Sequence, residues 1–194
     1  MAQAVEVLQE DTAAYTDTHA YLLSYSDGSV IHKVQTTMED VGGITVEGDT
    51  LWVTAGYELS NINLSGNILA RYLAPGGAGA HGLEYVGNRQ MWVSDPRTHF
   101  NHLIDLNTMT GIRSIPYQKK QKGHGLFVHD NSIWQGITRK DFGGGEVHRI
   151  DIDTEEKIDH INVPDPEIHG MTYHDDQIWF CCTRTHKMCT IPLP

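Results

Sequence analysis

The chain has 194 residues, 39% hydrophobic and 20% charged, which is enough for one well-buried domain and ordinary for a soluble globular protein. Its 25 acidic residues outnumber 14 basic ones, a formal net charge of −11, which argues against a broad nucleic-acid or anionic-membrane surface because both need a positive field. No window approaches the ~20 apolar residues that cross a bilayer, the N-terminus has no secretory pattern, and the late trio Cys181, Cys182 and Cys189 suits reduced thiols, so a cytoplasmic protein is expected.

Taken in chain order, the elements are short and strand-like. Val5–Leu8 is a spare terminal strand, and Tyr21–Tyr25 with Val30–Val34 form a hairpin around Asp27-Gly28. Ile44–Val46 and Leu51–Thr54 then flank Gly48-Asp49, and Leu59–Leu64 and Ile68–Tyr72 flank Ser65-Gly66-Asn67. The same pair of hairpins returns as Leu83–Val86 with Gln90–Val93 around Gly87-Asn88-Arg89, then His102–Leu106 with Ile112–Ile115. A third unit runs from His124 through Trp134 to the hairpin Val147–Ile152 and Lys157–Ile161. Met171–Tyr173, Ile178–Cys182 and the last strand, Met188–Ile191, complete the chain.

These hairpins are a repeat. The four tryptophans, Trp52, Trp92, Trp134 and Trp179, fall at one place in it and lie 40, 42 and 45 residues apart. A period of this size with four short strands and no helical pattern predicts an all-β fold, a small β-propeller of four-stranded antiparallel blades, about four to five in number. The prediction treats residues 1–194 as one domain. The ring closes by joining N-terminal strands (about 19–36) to C-terminal ones (about 169–192), or through a second copy in a homo-oligomer, which removes exposed sheet edges.

Three repeats open on His-Gly, at His81, His124 and His169, and 15 or 16 residues later stand Arg97, Arg139 and Arg184. The first repeat has Gly42 and Tyr57 in those places. In a propeller the start of the innermost strand and the end of the next lie on one face, so these residues are expected to converge. Neutral imidazoles suit Zn, Mn, Fe, Ni or Cu, and guanidinium groups grip carboxylate or phosphate. His81, His124 and His169 are therefore candidate metal ligands for a divalent ion and candidate catalytic groups, with Glu39 as a carboxylate ligand where the first repeat lacks histidine. Tyr57 and Glu167 are further catalytic candidates. Arg97, Arg139 and Arg184 are the candidate substrate-binding residues, with His99 and His186 from the matching Arg-Thr-His triplets. The glycine-rich stretch Pro75–Ala80 is a candidate lid, and Lys119, Lys120 and Lys122 add positive charge near the same face.

The stretch His169-Gly170-Met171 through Ile178-Trp179-Phe180 resembles the repeats of streptogramin lyases (virginiamycin B lyase) over roughly residues 42–194. That resemblance implies a propeller with a metal on the blade-loop face and elimination chemistry, in a chain much shorter than the family's seven blades. The expected function is a metal-dependent lyase or isomerase, with hydrolysis next, acting on a small anionic ligand. The alternatives are a propeller that binds a protein or peptide without catalysis, and a metal-free anion-binding protein.

Overall fold

The computed structural model describes residues 4–8, 19–23, 29–36, 38, 41–75, 79–117, 122–138, 144–163, 168–182 and 187–194. Three strands come first: β1 (Ala4–Leu8), β2 (His19–Leu23) and β3 (Val30–Gln35), hydrogen-bonded in that order. Four blades follow. The first is β4 (Val41–Glu47), β5 (Thr50–Ala55), β6 (Glu58–Asn63) and β7 (Ile68–Leu73). The second is β8 (Leu83–Gly87), β9 (Gln90–Asp95), β10 (Phe100–Asp105) and β11 (Thr110–Pro116). The third is β12 (Lys122–His129), β13 (Ser132–Thr138), β14 (Gly145–Asp151) and β15 (Lys157–Val163). The fourth stops at β16 (Ile168–His174), β17 (Gln177–Cys182) and β18 (Lys187–Pro192). Every pairing is antiparallel between consecutive strands, the arrangement of a β-propeller. No helix among the described residues is long and apolar enough to cross a membrane.

The turn chemistry explains the hairpins. β8 and β9 are joined by Asn88 and Arg89, both at positive φ (52° and 58°); Asp130-Asn131 and Asp175-Asp176 do the same for β12–β13 and β16–β17. Two positive φ values in a two-residue loop match the twist of the flanking strands. Gly87, expected in the turn, instead pairs with Gln90 at the end of the strand. Arg89 is anchored there by three contacts: Nη1 to Glu47 Oε2 at 2.6 Å, Nη2 to the Leu106 carbonyl at 3.2 Å, and Nε to Asn107 Oδ1 at 3.4 Å. Asp95, Asp105 and Asp151 each turn the chain after a strand by accepting two backbone N–H groups on one carboxylate oxygen.

The core lies between neighbouring sheets, not inside any one of them. Trp52 packs with Leu83, Met91 and Ile104 of the second blade, Trp92 with Leu126 and Ile133 of the third, and Trp134 with Ile168, Ile178 and Phe180 of the fourth. These three tryptophans are buried, so each fills the seam to the next blade, as a large aromatic at a repeated position should. Ala20, Val34 and Met38 seat the N-terminal sheet on Leu51, Val53 and Ile62 of the first blade. The expected union of residues about 19–36 with about 169–192 in one blade has no hydrogen-bonded counterpart among the described residues. β2 finds its partners in β1 and β3, and β17 in β16 and β18.

Candidate functional site

Two of the three His-Gly steps occupy bulges at the mouths of the inner strands. The β12–β13 register shifts between Gly123 and Leu126, across His124-Gly125, and the β16–β17 register shifts between Ile168 and Met171, across His169-Gly170. In β4 the shift falls between Val41 and Gly43, at Gly42, the matching place in the first repeat. A bulge breaks the alternation and re-aims a side chain. At the second blade, the His81 N–H donates to the Ser94 carbonyl at 3.0 Å and the Ser94 N–H to the Gly82 carbonyl at 2.9 Å, which extends the ladder to the histidine.

The three rings come together. The ring centroids of His81 and His124 are 4.6 Å apart, those of His124 and His169 4.4 Å, and those of His81 and His169 5.5 Å. Gly42 takes the fourth corner: a Cβ built on it would lie 3.0 Å from His81 Nδ1, so the absence of a side chain makes room for the imidazole. The Nδ1 atoms of His81 and His124 are buried with no hydrogen-bond partner. Burial holds His81 down to about 4 and His124 to about 2, with the neighbouring histidines and the Lys122 ammonium pushing the same way. Asp95, fully buried at the end of β9, pulls His81 weakly upward. His81 and His124 are therefore neutral at pH 7.

Tyr57 and Arg97, equivalent positions of adjacent blades, meet across the seam. Arg97 Nη1 donates to the Tyr57 hydroxyl at 2.9 Å and the guanidinium lies 5.2 Å from the ring centroid, with both residues exposed. His99 sits at φ 63° and its ring lies edge-on to Tyr117 at 5.9 Å. Glu39, Arg139, Glu167, Arg184 and His186 lie outside the described residues, as do Gly76–Ala78 of the expected lid and Lys119 and Lys120. Among the described residues no group of three or more His, Cys, Asp or Glu side chains is disposed to hold a metal ion. Cys181 Sγ accepts a hydrogen bond from the Gly170 N–H at 3.0 Å.

Two charged groups escape repeat-based reading. Asp95 has no tripled equivalent, although its Asp-Pro-Arg-Thr context marks a turn. Glu84, on β8 opposite Trp92, stands where the other repeats carry Thr45, Phe127 and Thr172; burial pushes its carboxyl up to about 8.

No family profile and no curated protein matches the sequence. Solved propellers do match in structure. The WD40 domain of Neurospora crassa Pan2 superposes with a TM-score of 0.58 at 11% identity, covering 93% of this chain and 60% of that one. The WD40 propeller domain of Doa1 gives 0.60 at 12% identity, covering 90% and 58%. Myxococcus xanthus glutaminyl cyclase gives 0.65 at 12% identity, covering 98% and 72%. The chain thus spans about three-fifths of the two WD40 domains. Identities this low establish the fold alone. They bear out the propeller half of the resemblance read from the sequence and do not reach the lyase family itself.

Proposed function

We propose that the axial mouth of this propeller is a small-molecule site that takes a carboxylate- or phosphate-bearing ligand. The observation that carries the reading is the convergence of His81, His124 and His169, with two buried Nδ1 atoms that have no hydrogen-bond partner among the described residues. Leaving such an atom unpaired costs about 1–3 kcal/mol, which a hydrogen-bonding ligand recovers. The charge of Lys122 already acts on His81 and His124, and Arg97 stands exposed on the loop after β9. Arg139 and Arg184 extend that role by their place in the repeat. Neutral imidazoles beside a bound carboxylate are suited to move a proton, so elimination or isomerisation is the reaction class proposed. The alternative without catalysis is an anion-binding protein using the same groups.

A divalent metal is the second reading, favoured by the neutral state of the His81 and His124 rings, the state that metals bind. The described side chains do not gather into a three-ligand set in this arrangement.

Thermal melts with phosphate, succinate and citrate, before and after chelation, test both readings. A ligand at about 100 times its Kd adds about 2.7 kcal/mol to stability. Stabilisation that survives chelation and is lost in folded His124→Ala supports the metal-free site. Near-stoichiometric metal by mass spectrometry, lost in the triple His→Ala variant, supports the metal. Absence of both anion binding and metal from the wild-type protein overturns the proposal.

A further inference from the structure

A second constellation lies on one face of the β8–β11 blade and shares only Asp95 with the surroundings of the axial trio. His102 on β10 is the direct cross-strand partner of Ser114 on β11, and its Nδ1 lies 2.8 Å from the Ser114 hydroxyl oxygen. On its other side His102 pairs with Val93, so Asp95, two residues along β9, shares that face. Its Oδ2 lies 3.9 Å from His102 Nε2, longer than a hydrogen bond and within ion-pair range.

Each member is prepared for a distinct task. Asp95 is fully buried and held in place, since its Oδ1 accepts the N–H groups of Arg97 at 2.9 Å and Thr98 at 3.3 Å. Its Oδ2 is buried and accepts no hydrogen bond. A buried carboxylate oxygen facing Nε2 favours the tautomer with the proton on Nε2, which leaves Nδ1 to accept from the serine. Thr98 Oγ1, 3.5 Å from Nε2, borders the same nitrogen. Burial lowers the His102 pKa and Asp95 only partly offsets this, so the ring is a neutral base at pH 7. Ser114 is exposed, and among the described residues β11 is an edge strand bonded only to β10, which leaves the hydroxyl open to a substrate.

We propose that Ser114 is a nucleophile, with His102 as its general base and Asp95 as the positioning residue behind the ring, and that it accepts the acyl group of small carboxylic esters. The Ser114 oxygen bonds to the ester carbonyl carbon while its proton passes to His102 Nδ1. The C–O bond to the alcohol then breaks and the alcohol leaves with that proton. Water, deprotonated by the same nitrogen, cleaves the acyl-serine to the free acid and restores the hydroxyl.

The test is covalent labelling of the full chain with a fluorophosphonate probe, read by intact mass and peptide mapping, alongside p-nitrophenyl acetate hydrolysis. One adduct is expected, on Ser114, absent in Ser114→Ala and formed about a hundredfold more slowly in His102→Gln, the scale of a lost general base. In the wild-type protein the labelling rate should rise with pH and level off by about pH 7, because the base has a lowered pKa. That profile decides the matter even if His102→Gln fails to fold. No adduct on Ser114, a rate unchanged in folded His102→Gln, or a rate still climbing through pH 9 overturns the proposal.

Discussion

The backbone of Gly82 lies directly against the carbonyl oxygen of His124: a Cβ added to Gly82 would sit 2.3 Å from it. The relation is repeated around the axis. A Cβ on Gly43 would meet the His81 carbonyl at 1.5 Å, and one on Gly125 the His169 carbonyl at 2.6 Å. Gly43, Gly82 and Gly125 are therefore what let one inner strand close on the next, and the carbonyl each abuts belongs to the next histidine, whereas Gly170 faces Cys181 Sγ at 3.1 Å. Packing of the ring and placement of the trio are one arrangement.

Gly82→Ala and Gly125→Ala should both lower Tm strongly, since the obstructing atoms are backbone and cannot swing away. Gly111→Ala is the control: nothing lies within 4 Å of its added Cβ, so Tm should hold or rise. Equal Tm values across the three variants would contradict the close-packed axis.

Trp92 bridges the second and third blades at 3% exposure. Trp92→Ala should cost about 3–5 kcal/mol in a denaturant melt, the scale of emptying a buried aromatic site. A loss below about 1 kcal/mol would mean that the seam is not the core.

Acid should destabilise the fold through His81 and His124. His81 and His124 have folded pKa values depressed below the unfolded 6.5, so the unfolded chain binds more protons as pH falls from about 6.5 toward 4. Stability should fall across that window, and replacing His124 by Asn should flatten it. A wild-type slope that His124→Asn leaves unchanged would refute burial of a neutral imidazole.

Glu84 works in the opposite direction. Its folded pKa, raised from 4.5 to about 8, favours folding while the carboxyl is protonated, and that contribution drains away as pH rises from about 4.5 to 8. Glu84→Gln should therefore raise Tm at pH 8 and leave it nearly unchanged at pH 4. Equal effects at both pH values would show that the carboxyl is solvated.

Glu47 ties two blades at the opposite end of the inner strand, accepting from Trp52 Nε1 at 2.8 Å and from Arg89 Nη1 at 2.6 Å on one oxygen. These bonds keep its carboxyl ionised below the usual range against the opposing effect of burial. Arg89→Lys should destabilise nearly as much as Arg89→Ala, because an ammonium cannot also reach the Leu106 carbonyl and Asn107 as the guanidinium fork does. Full rescue by lysine would show that charge alone matters.

The propeller was legible in the sequence because its signals are local. Alternation of period two, turn residues between strand pairs, and a tryptophan recurring every 40 to 45 residues need no knowledge of distant contacts. Repetition also singled out His81, His124 and His169, whose rings do converge. What repetition cannot carry is direction. The bulges at the mouths of β12 and β16 aim the rings, and Gly42 leaves space for His81. The pairing of Tyr57 with Arg97 joins residues 40 apart, and the His102–Ser114–Asp95 series arises from strand register. Local composition sets which strands form; the twist between blades sets which side chains meet, and that is decided only once the seams are packed.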